Sequence, residues 1–572
     1  MPDPAPREAR PPRPSFSEMF TPKLVTVLRE GYDLSALRAD ALAGLTVAIV
    51  ALPLSMAIAI ACGLSPDRGL YTAIVGGFII SAFGGSRFQI GGPAGAFIVL
   101  IAVIVERHGY DGLVLATMMA GAIMMAVGFL RLGTYIKYIP FPVTVGFTAG
   151  IAVIIFTSQI KEVLGLDIVK EPAALLPKLM VISAALPSFK PATILIAALA
   201  IGIILVLRKL RPTWPGFLIA VVVSALASAA MAKAGIDVAT VGSRFGGMPS
   251  SLPTPEFPAV SFAKIRAVLP DALAIALLGA IESLLSAVVA DGMSGRRHRS
   301  NCELVAQGGA NIAAVMFGGM PVTGTIARTA TNVRAGARGP VSGMLHAIYI
   351  LLFMLVATPL AEFIPLAALG AVLVVVSWNM AEKHEFAALI RASPGDALVL
   401  LATFFLTIFE DLTLAIAVGV TLGAFLFLHR MAEAVEIDGG DPLITEDVAD
   451  NAPADRTPFA LATRQDDDVV VYRIRGAFFF GATSTVISTL DRMGQMPKAF
   501  VFDFSAVPLA DTTAAKGLER FAHKLAHSGT AFFIVAARPS VRRTLLNAGL
   551  REPAVFYAAS IEDARERIRR PT

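Results

Sequence analysis

The sequence contains little charge and almost no cysteine. Of its 572 residues only 16% are Asp, Glu, Lys or Arg, whereas 55% are hydrophobic, and the mean hydropathy is +0.70. A soluble domain of this length carries more charge, so the composition excludes one. The two cysteines, Cys62 and Cys302, lie at the ends of long apolar runs, a pattern that indicates neither a disulfide framework nor a zinc site. We expect no metal and no cofactor.

Long apolar runs dominate the chain instead. A bilayer core about 30 Å thick requires a helix of roughly 20 apolar residues, and Ala41 to Ala61 supplies one without any charge. Because this run follows a leader that contains Pro and Arg, we interpret it as a membrane span and not as a signal peptide. Residues 1–40 are then a cytoplasmic segment. About fourteen spans are predicted, near residues 41–62, 67–84, 93–106, 111–131, 142–160, 192–208, 214–233, 270–290, 300–318, 325–336, 340–361, 364–380, 396–410 and 412–429.

The basic residues indicate how the spans are oriented. Clusters of Lys and Arg follow even-numbered spans, at residues 131–137, 208–211, 296–299, 334–338 and 383–391. Short cytoplasmic loops carry such an excess, so both termini are predicted to be cytoplasmic and the protein to lie in a bacterial inner membrane. The clusters also account for the net charge of +5. Nucleic-acid binding is not expected, because the sequence has no basic stripe with interleaved aromatic residues.

The character of the chain changes after Arg430. Residues 433–467 are acidic and contain Gly and Pro, as a linker does. Between residues 468 and 572, the strand-like runs VVVYRIRG, KAFVFDFSAV and TAFFIVAA alternate with helix-like stretches at residues 484–492, 512–526 and 539–547. This order predicts a small α/β domain. The apolar domain before it covers residues 41–432.

A polar motif, DTT at residues 511–513, follows the second of these strands and opens a helix. One interpretation is a helix N-cap, in which Asp511 or Thr512 accepts a hydrogen bond from a free backbone N–H. The other is a regulatory phosphorylation site at Thr512. The motif resembles the loop of the anti-sigma-factor-antagonist (STAS) domain, where a phosphorylatable serine can occupy that position.

Two of the predicted spans are too short to cross a bilayer. Residues 93–106 give about 21 Å of helix, and residues 326–335 give about 15 Å. Both follow Gly- and Pro-rich stretches, GGSRFQIGGPAG and GGMPVTGT, and each is third in a set of seven spans. Short, interrupted segments at matching positions in two halves indicate inverted repeats with a substrate site between them. The repeats cover about residues 41–235 and 265–432.

Two half-helices that begin inside the membrane would form an anion site. Their unpaired N–H groups and helix dipoles point positive charge at whatever faces them. Small residues allow close approach, hydroxyl groups add donors, and a cation adds charge; the candidates are Gly92, Ala94, Gly95, Gly324, Ala327, Thr323, Thr325 and Arg328. A kinked helix or a re-entrant loop without a ligand is the alternative for each segment.

The chain resembles the sulfate permease (SulP) family, also called the solute carrier 26 anion transporters, over nearly its whole length. The blocks ADALAGLTVAIVALPLSMAIA, GLYTAIVGGFIISAFGGSRFQIGGPAG and LGAIESLLSAVVADGM, the second half-helix motif and the STAS-like domain carry the resemblance. It implies a polytopic α-helical fold of seven-plus-seven inverted repeats, with a core domain for the anion, a gate domain in a homodimer, and elevator-like transport. It also implies anion contacts from Leu54, Ile58, Ala94, Gly95, Ala327 and Arg328.

Within that family, the blocks YIPFPVTVGFTAGI, GAIESLL and TNVRAGA most resemble the enterobacterial, proton-linked transporter of four-carbon dicarboxylates. Several animal members carry an aromatic residue or a serine at the positions of Ala94 and Ala327. Two alanines leave more room in the site, which mildly favours a larger anion.

One charge, Glu282, stands near the middle of the apolar run LLGAIESLLSAVVA. A charge near the bilayer midplane costs at least about 2.5 kcal/mol, and burial disfavours the ionised form of a carboxyl group. We therefore expect Glu282 to carry the coupling proton, with Ser286 one helical turn away on the same face. Two alternatives remain: a sodium site, and a structural ion pair with Arg328.

The sequence thus predicts a secondary active anion transporter, with proton-coupled uptake of C4-dicarboxylates such as succinate, fumarate or aspartate. A sulfate or bicarbonate transporter is the alternative within this class. Outside it, the alternatives are an anion channel and a membrane sensor that signals through the STAS-like domain to a cytoplasmic protein partner. An enzyme is not expected, because His298 and His346 have no partners at catalytic spacing in the sequence.

Overall fold

The computed structural model describes residues 15–168, 171–172, 174–211, 214–410, 412–433, 436–438, 469–479 and 497–569. The chain divides into two compact units, Met1–Val420 and Thr421–Thr572, and each is described by itself. The predicted helix at residues 484–492 lies outside the described residues. So does the predicted linker, apart from residues 433 and 436–438.

The first unit is built of helices, and the last helix of the following list continues into the second unit. They are α1 (Phe16–Phe20), α2 (Lys23–Gly31), α3 (Leu34–Ala61), α4 (Pro66–Tyr71), α5 (Gly77–Phe83), α6 (Ile98–Phe129), α7 (Phe141–Leu164), α8 (Leu175–Ala185), α9 (Pro191–Leu210), α10 (Gly216–Lys233), α11 (Val241–Phe245), α12 (Phe262–Ser294), α13 (Ser300–Met316), α14 (Ile326–Arg334), α15 (Val341–Ala361), α16 (Leu366–Met380), α17 (Lys383–Ala392), α18 (Pro394–Phe409) and α19 (Leu412–Glu433). A π-helical turn, Thr72–Gly76, joins α4 to α5.

Nine helices among the described residues are long and apolar enough to cross a membrane. Several extend beyond the predicted spans: α3 begins at Leu34 and α12 at Phe262. The caps set these starts, because Asp33 accepts a hydrogen bond from the N–H of Ala36 and Ser261 accepts one from that of Lys264. A helix therefore continues past the apolar run until a capping residue ends it.

Five short helices were not predicted. Helices α1 and α2 lie within the predicted N-terminal segment, and α8, α11 and α17 lie between predicted spans. Helix α2 is fastened to the loop after α5, since the N–H of Lys23 donates to Gly84 O over 2.9 Å and Arg87 pairs with Glu30. That loop leads directly to the first short span.

The long helices form two bundles. In the first bundle, α6 packs on α12 and α13, and α15 packs on α3 and α5. In the second bundle, α7 packs on α16 and α18, and α9 packs on α10 and α16. Both short segments belong to the first bundle.

The second unit contains a five-stranded sheet in the order β3 (Glu436–Asp438), β4 (Val469–Arg475), β5 (Ala499–Ala506), β6 (Ala531–Val535) and β7 (Phe556–Ala558). Strands β4 to β7 are parallel, and β3 is antiparallel to β4. Helices α20 (Thr512–His527), α21 (Pro539–Asn547) and α22 (Ile561–Arg569) complete the unit. The three predicted strands are confirmed; β3 and β7 were missed because three residues give too short a pattern.

Candidate functional site

The two interrupted segments meet at two short antiparallel strands. We call these two strands the crossed strands and the place where they pair the crossing. Strand β1 (Gly91–Gly92) runs antiparallel to β2 (Thr323–Gly324), with Gly91 opposite Gly324. After β1 comes a 3₁₀ turn, Gly95–Phe97, and then α6, which Gly109 interrupts with φ 68°. After β2 comes the nine-residue α14. The prediction of two half-helices is confirmed, and pairing satisfies backbone groups that could not otherwise be buried.

At two positions of this crossing, glycine leaves room for a neighbouring side chain. A Cβ on Gly92 would lie 2.0 Å from Nη1 of Arg328, and a Cβ on Gly324 would lie 1.6 Å from Nε2 of Gln89. Both distances are far below van der Waals contact. The glycines therefore let long polar side chains lie against the backbone of the crossed strands.

Arg328, in the first turn of α14, is 1% exposed. Its Nη2 donates to Ser55 Oγ over 3.2 Å and to the C=O of Pro93 over 3.3 Å. Its Nε and Nη1 have no hydrogen-bond partner among the described residues, and no carboxylate there pairs with it. The guanidinium thus joins α14 to α3 and to the segment before α6, and two of its nitrogens are buried without a hydrogen-bond partner among the described residues.

Glu282 lies on α12 and is 8% exposed. Within the described part of the chain it forms neither an ion pair nor a hydrogen bond, so the structure does not show the anticipated pairing with Arg328. Ser286, one turn further, is fully buried and donates to Thr329 Oγ1 over 3.0 Å. Its hydroxyl therefore fastens α12 to α14.

The two threonines expected to supply donors use their hydroxyls elsewhere. Thr325 Oγ1 donates to the C=O of Ile90 over 3.3 Å. Thr323 Oγ1 lies 2.7 Å from Ser283 Oγ and donates to the C=O of Gly279 over 3.2 Å. These bonds hold the crossed strands, and we correct the expectation that the hydroxyls face a ligand. The backbone N–H groups in the first turn of α14 receive no cap from the side chain of Thr325.

The other predicted contact residues lie in α3 and in the two interrupted segments. Leu54 and Ile58 are buried in α3, which packs on α14. Ala94 is buried at the start of the 3₁₀ turn, Gly95 is half-buried and Ala327 is exposed. Ala94, Gly95 and Ala327 thus lie at the two half-helix starts, and contact of these residues, Leu54 and Ile58 with an anion stays a prediction.

Sequence patterns did not assign three of the side chains near the crossing to the site. Ser55 holds Arg328. Gln89 is 3% exposed and His346 is fully buried. Neither the amide of Gln89 nor the imidazole of His346 has a hydrogen-bond partner among the described residues. Gln89 lies inside the quoted block FQIGGPAG, so a polar residue within an apolar, Gly-rich motif was the available signal. For Ser55 and His346 the sequence offers no such signal.

Two other predictions concern polar clusters outside the crossing. Asp511 is the N-cap of α20 and accepts a hydrogen bond from the N–H of Ala514 over 2.7 Å, whereas Thr512 is exposed in the first turn. His298 does have partners: its Nδ1 lies 2.7 Å from Asp291 and its Nε2 lies 3.0 Å from Ser300. The expectation for His298 was wrong, because a tight turn between α12 and α13 brings these residues together.

Paired half-helices in a multi-span helical bundle are typical of membrane transporters. The chain belongs to the sulfate permease family, whose model matches residues 37–403, and a STAS domain matches residues 460–564. It is therefore a multi-pass anion transporter of the SulP/solute carrier 26 family and not an enzyme.

Relatives agree with this assignment along the chain. The Bacillus subtilis protein named "Putative sulfate transporter YvdB" is 40% identical over 91% of this chain and 95% of its own length. The bicarbonate transporter BicA of Picosynechococcus is 28% identical over 89% and 90%. The structure of murine Slc26a9, described as an anion transporter in the inward-facing state, matches with a TM-score of 0.82 at 19% identity and covers 98% of this chain and 96% of its own.

Proposed function

We propose that the protein takes up a small organic anion, with C4-dicarboxylates as its first candidate substrates, together with protons. The observation that carries this proposal is the guanidinium of Arg328, which is 1% exposed and has no carboxylate partner among the described residues. A buried charge without a counter-charge is strongly unfavourable. An anion bound between the two half-helix starts would supply that counter-charge.

In this proposal Glu282 binds the coupling proton, whereas Arg328 binds the anion. The carboxyl group of Glu282 is buried in α12 and has no ion-pair or hydrogen-bond partner in the part of the chain that the structure describes. A proton that travels with the anion would neutralise this group, so that the loaded site carries less net charge through the membrane. Sodium is the alternative coupling ion.

The proposed transport step is a movement of one helix bundle against the other. The half-helices belong to the first bundle, which we assign as the core, and α7, α9, α10, α16 and α18 form the second, which we assign as the gate. We propose that the core moves against the gate and carries the anion from one side of the membrane to the other. The gate of a homodimer would stay in place, and the STAS domain would bind a cytoplasmic partner.

Sulfate or bicarbonate is the second candidate substrate. The names of the relatives YvdB and BicA favour it. The alanines at positions 94 and 327 support the first candidate, because they leave space beside the half-helix starts.

Uptake of labelled succinate, sulfate and bicarbonate into proteoliposomes tests the proposal, with an inward gradient of protons or of sodium. We expect a proton gradient to stimulate succinate uptake in the wild type, and Glu282→Gln to lose that stimulation. Glu106→Gln, a matched change at an exposed position of α6, should behave as the wild type. Uptake of sulfate or bicarbonate alone, or a gradient response that survives in Glu282→Gln, contradicts the proposal.

A further inference from the structure

The start of the first half-helix faces two side chains from the second bundle. A Cβ built on Gly95 would lie 3.3 Å from Sδ of Met380 and 3.5 Å from Cδ1 of Ile155. Met380 is the last residue of α16, and Ile155 lies in α7. These residues therefore form an apolar wall beside Gly95, the first residue of the 3₁₀ turn that opens the half-helix.

The backbone of this wall is fixed to the second bundle. Next to Met380, Asn379 accepts a hydrogen bond from Nη1 of Arg208 in α9 over 2.8 Å. Nζ of Lys383 donates to the C=O of Trp378 over 2.7 Å and lies 3.8 Å from the centre of its ring. Ile155 is fully buried. The end of α16 is thus held on both sides, while the thioether of Met380 is half-buried and adaptable.

The chemistry of the wall distinguishes between anions. Sulfate presents oxygen acceptors in every direction, and an oxygen pressed against a thioether and an isoleucine would lose a hydrogen bond without replacement. An organic anion can place its carboxylate at the helix start and its methylene carbons on the wall, where contact is favourable.

We propose that Met380, supported by Ile155, is a specificity-determining residue that selects anions with a hydrocarbon segment over compact oxyanions. This inference rests on the proposed anion site. It adds a selecting surface on the bundle opposite the half-helices, where the sequence analysis assigned no residue.

Kinetic competition between succinate and sulfate tests the inference. In Met380→Gln, whose amide supplies a donor at similar length, we expect the ratio of the KM for succinate to that for sulfate to rise roughly tenfold. Met380→Leu should keep the wild-type ratio. Met180→Gln is the matched control, because Met180 is 69% exposed on α8. A ratio in Met380→Gln within about twofold of the wild type overturns the inference, even where succinate uptake and its proton dependence persist.

A binding measurement separates this inference from the proposed transport. Cys62 and Cys302 are 1% and 3% exposed, so Met380→Cys provides an accessible thiol for a charged thiol reagent. We expect succinate, and not sulfate, to slow its labelling at least severalfold. Protection by succinate without uptake would support the selecting wall and contradict the transport proposal. Equal protection by both anions, or none, would overturn the wall.

Discussion

Glu282 in α12 of the first unit and Asp503 in β5 of the second are both buried, but their surroundings differ. Glu303, also buried in the first unit, resembles Asp503, because it accepts hydrogen bonds from the N–H groups of Gly85 and Ser86. Asp503 is 4% exposed and accepts hydrogen bonds from Nε of Arg473 and the N–H of Ser505, each over 2.9 Å. Glu282 has no partner among the described residues. A buried charge that serves structure is paired, because an unpaired one destabilises the fold. Glu282 thus lacks the structural partners that Asp503 has, as its proposed role in proton coupling requires.

Arg328 gives the largest expected effect. Arg328→Gln removes the buried positive charge from the half-helix site, and truncating one partner of a buried charge pair costs about 2–5 kcal/mol, or roughly 30-fold to several thousand-fold in affinity. We expect anion uptake to fall at least to that extent, measured as kcat/KM in proteoliposomes. Arg334→Gln, at an exposed position of the same helix, should retain uptake. Equal uptake by the two variants would show that Arg328 only fastens helices.

Replacement of the two buried carboxylates tests the comparison directly. Burial raises the pKa of Asp503, but hydrogen bonds from Ser505 and Arg473 outweigh it and hold that pKa below its ordinary value. The ionised Asp503 therefore stabilises the fold fully at pH values above the pKa that this carboxyl group has in the unfolded chain. This stabilisation is lost as the pH falls through the lower pKa that the group has in the folded chain. Asp503→Ala should destabilise the α/β domain by about 1–2 kcal/mol at neutral pH, and the loss should shrink in acid.

Hydrogen exchange of the β5 amides in the full-length protein measures this loss. Glu282→Gln should leave the protection of α12 unchanged or raise it, because it removes a charge without removing a partner. Lower protection of α12 in Glu282→Gln would reveal a structural role for the carboxylate and would remove the contrast between the units.

The N-cap of α20 gives the smallest expected effect. Asp511→Ala removes the acceptor for the N–H of Ala514 and should cost about 1 kcal/mol of local stability. Thr512→Ala, at the exposed neighbouring position, should change stability little. Hydrogen exchange at the start of α20 distinguishes them, and a larger loss in Thr512→Ala would contradict the cap assignment. A role of Thr512 in regulation is a separate prediction, which mass spectrometry for phosphate on protein from its native host would test.

Much of the fold was readable because hydrophobic runs of span length leave few alternatives. The two short segments were found by length and glycine content, and α14 begins where the sequence analysis placed it. The starts of α3 and α12 were missed, because a cap and not the apolar run decides where a helix begins. Helices α8 and α17 were missed because they are too short for a span pattern.

The sequence by itself determined the class of protein, the two half-helices, and the identity of the charged residues in the apolar segments. These follow from local composition, since each span must satisfy its own backbone and each buried charge is rare. Only the tertiary structure decided which partners those groups have. It directs the hydroxyls of Thr323 and Thr325 to backbone carbonyl groups. It also brings Ser55 into a hydrogen bond with Arg328 and Met380 next to Gly95. Such contacts join residues more than 200 positions apart in the chain, and no local pattern encodes them.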